Sequence, residues 1–220
     1  MYIPNHFREE DRDTLVAFMR ANSFAILVTT LDGAPFATHL PLVIDASDDV
    51  LVLKGHVAKA NPQWRSFANT KAPLTHPLPL GEGSEVEAAL AIFHGPHAYV
   101  SPANYESKQS VPTWNYIAVH AYGMPRLVAT EEAKTDMLEA MIAQYDSAYQ
   151  DQWHELSDKY KDGMLNGIVA FEIEVTRLEG KAKLSQNRPE GDQQRVIESL
   201  SASEDLVVAG IAQAMAARRK

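Results

Sequence analysis

Cysteine is absent from this 220-residue chain, and the absence excludes several kinds of chemistry. There can be no disulfide, no thiolate metal ligand and no cysteine nucleophile. The first 13 residues contain no apolar segment of the kind that a signal peptide requires, so we expect none. No apolar run approaches the roughly 20 residues that span a bilayer. These absences predict a cytoplasmic protein without a membrane segment.

Basic residues are also few. The chain has 20 Lys and Arg against 29 Asp and Glu, which gives a formal net charge of −9. Because an acidic protein repels phosphates overall, we expect weak non-specific binding to DNA. DNA is a possible partner, but no residue pattern indicates that it binds. The chain lacks a nucleophile elbow, a phosphate-binding P-loop and a dinucleotide-binding glycine motif, so nothing marks a catalytic residue.

The residues that are present favour strands in the first part of the chain. Residues 24–31 and 34–44 are apolar runs joined by Asp32-Gly33, a hairpin signal, and a third run covers 50–56. An antiparallel meander of this kind predicts a β-barrel or sandwich rather than a doubly wound fold. Further strands are expected at 86–102, 114–128 and 167–180, and helices at 10–21, 58–68, 131–149, 151–162, 192–200 and 204–219.

The chain is expected to form one β-rich domain over 1–181 with helical decorations, followed by a helical extension over 182–220. Residues 71–85 are rich in proline and glycine and show little periodicity, which predicts an exposed loop insertion. Ser201 and Glu204 are predicted to form a capping box for the last helix.

The first candidate site combines 38–42 with 54–62. A strand is expected to end at Gly55, followed by Lys59 and by a helix that starts at Asn61-Pro62. One ammonium group beside unpaired backbone N–H groups suits a phosphate, and Gly55 would let a ligand approach the backbone. The alternative is a solvated lysine before a capped helix.

Two further segments carry candidate residues. Trp114, Asn115 and Tyr116 offer flat surfaces and amide groups that could hold a planar heteroaromatic ring, or they could form a core or dimer-interface cluster. Arg188 precedes a proline and lies in a predicted cationic turn, which is either a surface turn or a phosphate contact.

Histidines at 94 and 97 are separated by Gly95-Pro96, so a regular helical metal site is not available, and we predict no metal.

Taken together, these motifs resemble the PaiB-type FMN-binding negative transcriptional regulators of bacteria. The resemblance covers nearly the whole chain in family order, through MYIPNHF (1–7), THLPL (38–42), GHVAKANPQW (55–64), IFHGPHAYVSP (92–102), VPTWNY with AVHAYG (111–123) and KLSQNRP (183–189) followed by Arg195-Val196-Ile197. It implies an α+β fold dominated by β structure, namely a split β-barrel of the pyridoxamine-phosphate-oxidase and flavin-reductase type with peripheral helices, and a homodimer that binds FMN near the subunit interface.

The resemblance also implies a set of cofactor-binding residues. Lys59 would lie in the segment that holds the phosphate, together with Gly55 and His56. The strand beside the isoalloxazine ring would carry Thr38, His39 and Leu40. The other side of the site, or the partner subunit, would supply Trp114, Asn115 and Tyr116, and Arg188 would add a cation.

Three functions stay open at this point. The first is a flavin-binding regulator or flavin-dependent sensor without turnover. The second is an FMN-dependent oxidoreductase, of the flavin-reductase or pyridoxamine-phosphate-oxidase kind, in which the flavin supplies the redox chemistry. The third is a haem-binding split barrel.

Overall fold

A computed structural model describes residues 1–68 and 88–219 of the chain. These residues form eight β-strands and seven α-helices. The strands are β1 (Arg8–Glu9), β2 (Phe24–Leu31), β3 (Ala34–Pro41), β4 (Val43–Asp45), β5 (Val52–Ala58), β6 (Ala89–Val100), β7 (Thr113–Leu127) and β8 (Ile168–Lys183). The helices are α1 (Arg12–Ala21), α2 (Trp64–Ala68), α3 (Glu131–Tyr145), α4 (Gln150–Glu155), α5 (Asp158–Asn166), α6 (Glu190–Ser201) and α7 (Leu206–Arg218).

The strands form an antiparallel sheet in the order β3-β2-β6-β7-β8-β5-β4, and β1 pairs with β8. The β2–β3 hairpin pairs Phe24 with Pro41 and Leu31 with Ala34. Its turn residues Asp32 and Gly33 have φ of 52° and 79°, the left-handed conformation that two-residue hairpin turns require. The sequence prediction of an antiparallel, β-dominated fold is therefore confirmed.

The chain divides into two compact units, and α1, β6, β7 and β8 each contribute residues to both. The larger unit comprises 19–92 and 121–178, and its core includes Leu27, Leu53 and Ile173, all fully buried. The Phe67 and Phe171 rings lie 4.9 Å apart between centroids. Antiparallel pairing of β5 with β8, from Val52 opposite Glu174 to Ala58 opposite Ile168, holds this unit together.

The smaller unit comprises 1–18, 93–120 and 179–220. Its core is a cluster in which α6 and α7 contribute Val196, Leu200, Ile211 and Met215, β6 contributes Val100, and the turn after β8 contributes Leu184. The predicted boundary at 181/182 lies inside β8, so the last two helices share their core with strand residues. The predicted insertion at 71–85 lies outside the described residues.

Among the described residues, no helix has the length and apolarity to cross a membrane.

Candidate functional site

The turn that follows β5 is held by hydrogen bonds on both sides. The Lys59 backbone N–H donates to the Gly167 carbonyl at 2.8 Å, and the Lys59 carbonyl accepts from Trp64 Nε1 at 3.1 Å. The Lys59 side chain itself is exposed and forms no ion pair with another described residue. The fold thus fixes the backbone at this position and leaves the ammonium group available.

Asn61 connects this turn to β3. Its Nδ2 donates to Thr38 Oγ1 at 2.9 Å, and its Oδ1 accepts from the Gln63 backbone N–H at 3.0 Å. The two segments that form the first sequence candidate are therefore in direct contact. The predicted helix start at Pro62 is wrong, because Pro62 and Gln63 form a turn and α2 begins at Trp64 with only five residues. Lys59, rather than a helix dipole, is the feature suited to an anion.

Strand β3 presents its candidate side chains on opposite faces. Leu40 is buried in the core, where it pairs with Ala25 across the hairpin. His39 is exposed, and its ring lies 6.4 Å from that of Phe24, which is also exposed. Thr38 is half-buried beside Asn61. Thus Thr38 and His39 offer side chains to a ligand, whereas Leu40 contributes to packing.

Gly55 has a packing role in the structure. A Cβ atom here would lie 2.8 Å from Leu42 Cδ2 and 3.3 Å from Phe171 Cζ, closer than ordinary contacts. The absence of a side chain lets β5 approach these residues, which is a different reason from the one that the sequence suggested. A role for Gly55 beside a ligand stays a prediction.

His56 carries an unsatisfied buried atom. Its Nδ1 has no hydrogen-bond partner among the described residues. Burial lowers the pKa of His56 below its ordinary value, because desolvation disfavours the imidazolium. A neutral ring with one unused nitrogen can donate or accept a hydrogen bond, depending on its tautomer.

Gln63 is a buried polar residue that the sequence analysis missed. Its Nε2 lies 3.0 Å from the Leu27 carbonyl, 3.2 Å from Thr29 Oγ1 and 3.3 Å from the Phe36 carbonyl. Its Oε1 has no partner among the described residues. The side chain ties the turn to the β2–β3 hairpin and leaves one acceptor unused. The only sequence signal for Gln63 was its position directly after Asn61-Pro62, and that position does not indicate whether the side chain is buried.

In the smaller unit, the alternation of β7 separates Trp114 and Asn115. Asn115 is fully buried, and its Nδ2 lies 2.9 Å from Ser185 Oγ. Trp114 is 53% exposed, and its ring lies 6.2 Å from that of His97 and 5.9 Å from that of Tyr99. The Asn115 amide therefore lies in the interior of the unit, and the Trp114 indole faces outward.

Tyr116 and Arg188 both take part in cation–π contacts within the same unit. Lys181 Nζ lies 5.1 Å from the centre of the Tyr116 ring, and the Arg188 guanidinium lies 4.2 Å from that of Tyr105. The Tyr105 hydroxyl is buried without a partner among the described residues. Ser185 accepts from the Arg188 backbone N–H at 3.0 Å and has a φ of 62°, so the turn at 185–188 is tightly constrained.

The structure thus gathers the sequence candidates into two sets. Thr38, Gly55, His56 and Lys59 belong to the larger unit, together with His39 and Leu40. Trp114, Asn115, Tyr116 and Arg188 belong to the smaller unit. No described residues form a cluster of three His, Asp or Glu side chains that could hold a metal ion.

Comparison with known proteins shows which family the chain belongs to. The model of a family described as "Putative FMN-binding domain" matches residues 1–177. The chain belongs to this FMN-binding family. It is 39% identical over 207 residues to the protease synthase and sporulation protein PAI 2 of Bacillus subtilis, covering 93% of this chain and 91% of that protein. An uncharacterised protein of Emericella nidulans, AN0679, is 33% identical over 90% of this chain and 89% of its own length.

Solved structures establish the fold class of this family member. The FAD and haem binding protein of Mycobacterium smegmatis superposes with a TM-score of 0.58 at 16% identity, covering 80% of this chain and 73% of that one. The flavocytochrome Anf3 of Azotobacter vinelandii gives 0.59 at 13% identity, over 82% and 72% of the two chains. The fold is a split β-barrel, as the resemblance implied.

The residues of the larger unit fit FMN chemically. FMN carries a phosphate dianion, which suits the unpaired ammonium group of Lys59 at a turn of fixed backbone. The flavin ring system presents hydrogen-bond donors and acceptors, which suit the unsatisfied Nδ1 of the half-buried His56. The FMN assignment therefore agrees with the donor set of this unit.

Proposed function

We propose that this protein is an FMN-binding split-barrel regulator or flavin-dependent sensor, in which Lys59 holds the FMN phosphate. The observation that carries the proposal is the Asn61–Thr38 hydrogen bond, which joins the Lys59 turn to β3. Thr38 and His39 then lie on the strand that borders the same turn, and the Thr38 side chain, which faces Asn61, contacts the ring system. His56 supplies a neutral nitrogen. FMN, when bound, supplies electron and hydride transfer chemistry.

The candidate residues of the smaller unit support a second part of the proposal, which concerns the oligomeric state. We infer that the protein acts as a homodimer whose contact surface includes Trp114, Tyr99 and His97. Tyr99 and Trp114 are 50% and 53% exposed, and their rings contact each other. Exposed aromatic clusters are typical of interface centres. Asn115, the buried neighbour of Trp114 on β7, is held in place by its hydrogen bond to Ser185.

A regulatory role is supported by the relationship to the sporulation protein PAI 2 over almost the full length of both chains. The net charge of −9 argues that any contact with DNA is local or indirect. A salt-resistant gel shift that is independent of flavin would contradict this part of the proposal.

Turnover assays distinguish a sensor from an oxidoreductase. The FMN-loaded protein should oxidise NADH or NADPH no faster than the same concentration of FMN alone. Multiple turnovers in excess of that control would favour the oxidoreductase. A haem absorption spectrum with no flavin component would favour the haem-binding alternative.

Light scattering tests the dimer. At micromolar concentration the wild type should give roughly twice 24.3 kDa. Trp114→Glu should shift the population toward the monomer, because it places a charge in an apolar contact. Phe24→Glu is a matched control, since Phe24 is an aromatic of the other unit that is no less exposed than Trp114, at 66% against 53%. A monomeric wild type, or equal effects of both substitutions, would contradict the proposed surface.

A further inference from the structure

A cavity of about 620 Å³ lies wholly within the smaller unit, and none of the candidate flavin residues lines it. Helices α1 and α7 and strands β7 and β8 all contribute to its lining. Its lining is predominantly apolar, with the large side chains of Leu15, Phe18, Ile117, Val119 and Leu184. A volume of this size is in the range that holds small organic molecules.

The mouth of this cavity carries charged side chains. Arg218 Nη1 lies 3.1 Å from Glu9 Oε2, and both residues line the cavity. Lys181, also in the lining, is buried and donates to the Tyr2 carbonyl at 3.0 Å. The lining thus carries two cations and one carboxylate, so its formal charge is net positive.

The shape and charge together select one class of ligand. We propose that this cavity binds an amphipathic monoanion, such as a medium-chain carboxylate or an aromatic sulfonate. The apolar body occupies the space between α1 and α7. The anionic head replaces the Glu9 carboxylate on Arg218, and Lys181 adds a second positive charge to the lining. A cationic head would meet two like charges, and a neutral one would gain nothing from the ion pair.

Small residues on α7 keep the cavity open. Ala214 and Ala217 line it, and Ala217 is exposed at the rim. A large side chain at 217 would enter the opening without disturbing the core. Ala216 is the neighbouring exposed alanine and does not line the cavity. The pair 217 and 216 therefore provides a test substitution and its matched control.

The probe is 8-anilinonaphthalene-1-sulfonate, whose fluorescence rises in an apolar site, with decanoate as competitor. The full-length protein should bind one probe per chain, and decanoate should displace it, whereas decyltrimethylammonium should not. Ala217→Trp should abolish this saturable binding, and Ala216→Trp should leave it unchanged. FMN titration and a melting curve of each variant establish that the fold is retained.

Charge substitutions at the mouth should act with opposite signs. Arg218→Gln should weaken the probe and decanoate by roughly tenfold or more, the effect of losing one charge-assisted contact. Glu9→Gln should strengthen both several-fold, because the competing carboxylate is gone. Arg219→Gln is the control, since Arg219 contacts Gln194 at 2.7 Å and lies outside the lining.

Three results would overturn the proposal. They are the absence of saturable binding to the wild type, equal effects of tryptophan at 216 and 217, and the same direction of change for Arg218→Gln and Glu9→Gln.

Discussion

Replacing Lys59 by alanine should weaken FMN far more than riboflavin, which lacks the phosphate. A charge-assisted contact of this kind is worth about 1.5–3 kcal/mol, or 10- to 150-fold in the dissociation constant. Because Lys59 is exposed in the structure, solvent screening places the expected loss near the lower end, about tenfold. Riboflavin affinity should change by less than about twofold, which is within ordinary surface effects.

The assay is a fluorescence titration of both flavins against the wild type, Lys59→Ala and Lys159→Ala. Lys159 is an exposed lysine of α5 and serves as the matched control. Added salt should weaken FMN binding to the wild type more than to Lys59→Ala, because screening acts on the contact that the variant lacks. Equal losses of FMN and riboflavin would place Lys59 at the ring or in the fold. An unchanged affinity for both would make Lys59 a solvated surface residue and contradict its contact with the phosphate.

Three further predictions concern stability, each measured by urea denaturation. Gly55→Ala should lower the free energy of unfolding by roughly 1–3 kcal/mol, because the added Cβ overlaps Leu42. Gly163→Ala is the control and should not lower it, because Gly163 in α5 has open space around it. Similar effects of the two substitutions would contradict the packing role of Gly55. Asn115→Ala should cost about 1–3 kcal/mol, since it leaves a buried hydroxyl unpartnered; a neutral effect would count against a structural role. Because burial lowers the pKa of His56, the unfolded state binds more protons, so stability should fall as pH drops below about 6.5, and less so in His56→Gln. Identical pH profiles of stability for the wild type and His56→Gln would contradict the lowered pKa of His56.

Local patterns in the sequence predicted much of the fold. The alternation and apolar content of 24–31 matched β2 over its full length, and Asp32-Gly33 formed the expected turn. The predicted capping box of α7 was wrong, because α6 continues through Ser201 and Asp205 caps α7 instead, accepting from the Val207 backbone N–H at 2.8 Å. Cap positions depend on where the preceding element ends, which propensity does not fix.

The candidate site was predictable in part. The contact between 38–42 and 54–62 is long-range, and its atoms, Thr38 Oγ1 and Asn61 Nδ2, could be paired only once the strand order was known. The opposite orientations of Trp114 and Asn115 follow from strand alternation, so that signal was present in the sequence. The burial of Gln63 was not, because it depends on the hairpin that encloses it.

The most direct test of the account is a titration of the purified full-length protein with FMN, followed by flavin fluorescence and by the absorbance of the complex. We expect saturable binding of one FMN per chain, with riboflavin binding more weakly. We also expect Lys59→Ala to remove this preference for FMN. Absence of saturable FMN binding by the folded protein would contradict its proposed role as an FMN-binding protein, and a preference for FMN that survives in Lys59→Ala would contradict the role of Lys59.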